Sequence, residues 1–179
     1  MNKLSIILRK YLLLLLVLTS WCNLTHAELT REYQLKAAYL LNFARFIYWP
    51  EDVFVASDNF NICVVGGNPF ADSLVRLSYK KIKNKKIKVT YSEIYLKEDQ
   101  CHIVYISKIK SDTHKEIIKK IGTDVVLTVS DIDGFASDGG MIGFVRVKNK
   151  IKFEINVDKS IKSNIKYRSQ LLEVAEQLR

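Results

Sequence analysis

The sequence predicts an α/β fold: a single three-layer domain built on a mixed sheet of five or six strands, with helices on both faces and a C-terminal antiparallel hairpin. Three observations predict it. Residues 60–66, 101–107 and 124–129 are short, nearly unbroken apolar runs rich in Val and Ile, the pattern of strands buried on both faces. Helical periodicities lie between them, and the order strand–helix–strand–helix–strand argues for parallel pairing. Ile151, Phe153, Ile155 and Val157 instead alternate with Lys150, Lys152, Glu154 and Asn156, which marks a strand with one wet face.

The elements follow in chain order. Residues 1–27 read as a secretory signal: Lys3, Arg9 and Lys10 make a basic start, Tyr11 to Trp21 an apolar stretch too short to span a bilayer, and Thr25-His26-Ala27 a cleavage site after Ala27. An uncleaved anchor is the alternative, against which the cleavage motif argues. Cys22 invites a lipoprotein reading, but bulky Trp21 stands where a small residue is needed. Residues 28–179 then form one domain, with no linker or repeat to divide it. Apolar residues at 29, 33, 37, 40, 41, 44, 47 and 48 make an amphipathic helix with Thr30 as N-cap, stopped near Ile47 by Pro50. A second helix follows Pro69 through Leu74, Val75 and Leu77. A strand covers 87–91, and a third helix runs from a cap at Ser111 or Asp112 through Ile117, Ile118 and Ile121. Strands 141–147 and 151–157 form a hairpin turning at Asn149-Lys150. Leu171, Leu172, Val174, Ala175 and Leu178 predict a last helix.

Charge and cysteines narrow the class. The chain carries 28 Lys and Arg against 19 Asp and Glu; removing Lys3, Arg9 and Lys10 leaves 25 against 19. The excess is local, for residues 79–88, YKKIKNKKIK, hold six lysines and no acid. Such a patch suits phosphates, anionic lipid heads or an acidic partner. A solvated hairpin whose lysines protect a sheet edge explains it more simply, and an exported protein rarely meets nucleic acid. Without Cys22, Cys63 and Cys101 are the remaining cysteines; in an exported chain they suggest one disulfide, two buried thiols being the alternative.

No catalytic pattern emerges. Gly-x-Ser-x-Gly is absent. His102 sits in a strand pattern and His114 at a helix start, with no spacing that supplies partners, so core or surface roles are favoured. Cys63 has no neighbouring cation to activate it. No cofactor and no metal are expected.

Residues 130–144, SDIDGFASDGGMIGF, hold four of the seven glycines. A calcium hand starting at Asp131 would need Gly where Ala136 stands and Glu where Ile142 stands. A phosphate-binding loop would need a Lys before Lys148, and a dinucleotide fingerprint a helix where a strand follows. A structural loop remains: Gly139 and Gly140 permit positive φ or close backbone approach, with Phe135 turned inward to pin it. Residues 66–70, GGNPF, come closer to a ligand turn, since a helix start after Gly66, Gly67 and Asn68 could hold an anion; a tight strand-to-helix turn explains them equally well. Trp49 and Phe135 read as core or loop anchors before binding hot spots.

KAAYLLNFARFIYWP (36–50), FNICVVGGNPF (60–70), CHIVYIS (101–107), VLTVSDIDGFASDGGMIGF (126–144), KIKFEIN (150–156) and SQLLEVAEQL (169–178) together resemble, in order, the blocks of the YfiR-like periplasmic proteins. The resemblance implies a periplasmic, typically dimeric α/β domain that acts by binding. It would repress an inner-membrane diguanylate cyclase through the cyclase's periplasmic sensor and so lower cyclic di-GMP. It also implies a disulfide between Cys63 and Cys101. The second cysteine pair of some members, near the glycine loop, has no counterpart here. The loop residues Gly134, Phe135, Gly139, Gly140 and Met141 become candidates for partner contact. The alternative is a carrier of a small anionic ligand at Gly66, Gly67 and Asn68.

Overall fold

The computed structural model describes residues 9, 11, 28–55, 57–108 and 113–179. The signal segment expected over 1–27, apart from residues 9 and 11, and the cap candidates Ser111 and Asp112 lie outside the described residues. Helix α1 covers 28–45. There follow β1 (Ile47–Tyr48), β2 (Asn59–Val65), β3 (Lys81–Ile82), β4 (Lys85–Ser92), β5 (Ile103–Ile106), α2 (Thr113–Ile121), β6 (Leu127–Ser130), β7 (Ile142–Val147) and β8 (Lys150–Ile155). The chain continues through α3 (Val157–Lys162), β9 (Lys166–Tyr167), α4 (Ser169–Glu173) and β10 (Gln177–Leu178).

The main sheet has the order β10-β8-β7-β6-β5-β2-β4-β3, and β1 and β9 form a separate antiparallel pair. β4, β2, β5, β6 and β7 run parallel, while β7–β8 and β3–β4 are antiparallel. The six strands the sequence predicts are all present. The sheet nonetheless has eight strands among the described residues, not five or six, because two-residue strands β3 and β10 extend its edges. Two ladder residues leave no periodicity to read.

Side chains alternate across the sheet into two cores. Ile62 and Val64 of β2 and Ile103 and Tyr105 of β5 join Ala37, Leu40, Phe43 and Ala44 of α1. Cys63, Val65, Val104 and Ile106 point the other way, onto Ile117, Ile118 and Ile121 of α2. Helices therefore cover both faces, as periodicity predicts. The α1 face carries an aromatic cluster in which Phe43 meets Phe153 at 5.0 Å and Phe144 at 5.8 Å between ring centroids.

Several boundaries differ from expectation for visible reasons. α1 ends at 45, where Trp49 Nε1 donates to the Ala44 carbonyl at 2.9 Å, and Ile47–Tyr48 pair with β9. Thr30 lies inside α1, two residues past its first described residue, rather than at the boundary expected for an N-cap. No α-helix follows Pro69: Ala71 has φ 45°, outside helical space, and Val75–Leu77 form only a 3-10 turn. The hairpin turns at Lys148-Asn149, both at positive φ, with Lys150 already in β8. The last helix stops at Glu173, and Glu176 N–H donates to the Phe153 carbonyl at 2.8 Å as β10 joins the edge of β8.

Candidate functional site

The disulfide lies on the α2 face. Cys63 points there from the middle of β2, and Cys101, two residues before β5, is free of the strand's alternation and turns to the same side; the Cα atoms are 5.8 Å apart. Both residues are buried in the core under α2. The Asp99 carboxylate lies within 4.8 Å of both sulfurs, but sulfurs spent in a disulfide are not thiolate ligands.

The glycine stretch is held by its own bonds. Ile132 N–H donates to Ser130 Oγ at 3.1 Å, Asp138 N–H to the Gly134 carbonyl at 3.0 Å, and Gly140 N–H to the Phe135 carbonyl at 2.9 Å. Met141 N–H reaches Thr128 Oγ1 at 3.0 Å. Gly139 has φ 96°, and a Cβ on Gly140 would stand 2.1 Å from the Phe135 ring. The two glycines therefore serve the two purposes the sequence suggests, and Phe135, 1% exposed, is the inward anchor. Of the five candidates for partner contact, Gly134 is exposed and Gly139 half-buried, whereas Phe135, Gly140 and Met141 are buried. A partner on this loop would touch Asp133, Gly134 and Ser137.

At Gly66-Gly67-Asn68 the Asn68 side chain accepts the Phe70 N–H at 3.1 Å. That donor is taken within the turn, and turns rather than an α-helix follow. The helix start on which an anion turn rests is missing there.

Each described histidine has one ring nitrogen engaged. His102 Nδ1 accepts the Asn61 N–H at 3.1 Å, and its ring lies 4.7 Å from Phe60. Burial lowers its pKa to about 4, so it is neutral at physiological pH. His114 Nε2 lies 2.8 Å from Asp138 Oδ2, tying α2 to the glycine loop.

A polar cleft of about 290 Å³ opens where α1 passes the carboxyl ends of β5 and β6. Lys36, 3% exposed, donates to Asp131 Oδ2 at 2.6 Å and pairs with Glu32 Oε1 at 2.6 Å. Tyr33 Oη donates to the same Asp131 oxygen at 2.8 Å, and Arg146 pairs with Glu32. Burial pushes the Asp131 carboxyl up, but Lys36 and the hydroxyl donors outweigh it and the net shift is down. Lys108, Asp133 and Arg146 form its exposed rim. Clefts at the carboxyl ends of parallel strands are the usual ligand position in such sheets. A carboxylate stabilised this way is a weak general base near neutral pH, so the arrangement suits binding and orientation. The sequence reading missed Lys36. Its signal was there: Lys36 stands four residues after Glu32 and inside the apolar stripe of α1, between Tyr33 and Leu40.

Among the described residues, no helix is long and apolar enough to cross a membrane. The family model described as YfiR/HmsC-like matches residues 33–176, from Tyr33 in α1 to the threshold of β10, and the chain belongs to that family.

Proposed function

We propose that the protein is an exported regulator without catalytic activity, cleaved after Ala27. It binds the periplasmic sensor region of an inner-membrane diguanylate cyclase, as a homodimer, and represses it, lowering cyclic di-GMP. The family match over residues 33–176 carries this reading. The non-enzymatic part draws support from the side chains best suited to catalysis: His102, His114, Cys63 and Cys101 are all engaged in packing, a pairing with Asp138 or the disulfide. Repression then follows from differential affinity, the regulator binding the cyclase's inactive conformation more tightly than its active one.

The test is genetic and biochemical together. With the cyclase expressed, deletion of the gene raises cyclic di-GMP and the wild-type copy restores it, and tagged protein from the periplasm retains the cyclase from solubilised membranes. Unchanged cyclic di-GMP on deletion sinks the proposal.

A further inference from the structure

The lysines of residues 79–88 are arranged by the sheet. Cys63 lies opposite Thr90 and Asn59 opposite Lys86 in the parallel β2–β4 ladder. Because Cys63 faces the α2 side, alternation puts Lys86 and Lys88 on that side too. Lys81 is directly opposite Lys86 across the antiparallel β3–β4 pair and shares its face. No residue of β3 or β4 belongs to the core under α2, and at Lys81, Lys86 and Lys88 this strip of sheet is exposed among the described residues. Lys83, in the turn beyond them, is also exposed but turns its ammonium over the Phe54 ring at 5.0 Å, towards the α1 face, and is not part of this array. Lys81, Lys86 and Lys88 form no salt bridge with a described residue.

Lysines on an edge strand discourage strand addition, but like charges directly opposite, as at Lys81 and Lys86, destabilise a strand pair. The unneutralised array is kept at a cost, which points to an anionic counterpart. Its composition selects among counterparts. Protein interfaces favour Arg and aromatic residues and are depleted in Lys. Lysines are point charges without the fixed fork that reads one carboxylate, and a level row of them suits a plane of mobile phosphates. Tyr79, 72% exposed beside Lys80, adds an amphipathic ring of the type found at the headgroup level.

We propose that this α2-side face of β3–β4 is a docking surface for an anionic lipid bilayer, with Lys81, Lys86 and Lys88 over the headgroup phosphates. This surface does not depend on the cyclase reading, and its test uses no cyclase. Protein purified from the periplasm is sedimented with phosphatidylcholine vesicles with and without phosphatidylglycerol. Binding is expected only to the anionic vesicles and to weaken with salt. Each lysine is worth about fivefold, so Lys81→Gln, Lys86→Gln and Lys88→Gln together weaken binding about a hundredfold. Replacing exposed Lys119 and Lys148 by Gln serves as the control, and circular dichroism checks that every variant is folded. No vesicle binding, equal loss in the control, or capture by soluble polyglutamate without vesicle binding would each overturn the proposal.

Discussion

The two faces of the sheet reach stability by different means. Under α1 the core is large and aromatic, running from Ala37 to Leu171, and it contains a buried ion pair, Lys36–Asp131. Under α2 it is less than half that size and contains the disulfide. A broad apolar layer can absorb the desolvation of one satisfied ion pair. A narrow one buries less area, and hydrophobic stabilisation scales with area, so a covalent restraint on the unfolded chain matters more there.

The largest effect should come from breaking the ion pair. Lys36→Ala leaves Asp131 buried without its cation, which costs about 3–5 kcal/mol. The urea midpoint measures it. Lys36→Met combined with Asp131→Leu should recover part of the loss, since an apolar pair removes the buried charge although the Tyr33 hydroxyl loses its acceptor. A single variant as stable as wild type would mean that the α1 face does not rely on the pair.

Next comes the disulfide. Cys63→Ala with Cys101→Ala releases a link spanning 38 residues, worth up to about 4 kcal/mol in the chain-entropy account. Melting temperature should fall, with partner affinity following only through lost stability. An unchanged melting temperature with altered affinity would make the bond a switch and dissolve the contrast between the faces.

The smallest effect is a pH dependence at the margin of the α1 face. Burial lowers the His102 pKa from 6.5 to about 4. Between those values the unfolded chain binds more protons than the folded one, so stability falls as pH drops from 6.5 towards 4. The loss is at most about 3 kcal/mol. The depressed Asp131 carboxyl adds its own loss only at lower pH, below the ordinary carboxylate value of about 3.9. Urea midpoints across this range should slope for the wild type and flatten for His102→Gln. A flat wild-type profile would show His102 open to water.

The long parallel strands were legible because each is a β-branched run with a single burial solution. β7 and β8 were legible through alternation. What escaped was decided by distant backbone. Residues 171–178 have helical spacing, yet the open edge of β8 draws Gln177–Leu178 into the sheet, with Arg179 N–H donating to the Ile155 carbonyl at 2.8 Å. Ala71 at positive φ cannot be read from its type, since alanine favours helix. For the candidate site, cysteine count and the glycine spacing gave the disulfide and the loop's shape. The Lys36 cleft depends on Asp131, 95 residues away, a contact that no local pattern encodes.

The edges of the main sheet carry a further consequence. Each ends in a strand of two residues, β3 and β10. β3 pairs only with Lys85 and Lys86 of β4, and β10 only with Glu154 and Ile155 of β8. Among the described residues, no strand pairs with the rest of either outer edge, so what discourages an incoming strand there is charge, Lys88 on β4 and Lys150 and Lys152 on β8. Protection against strand addition is therefore carried by a few lysines rather than by the ladder itself, and replacing them with apolar residues would open a route to edge-to-edge association.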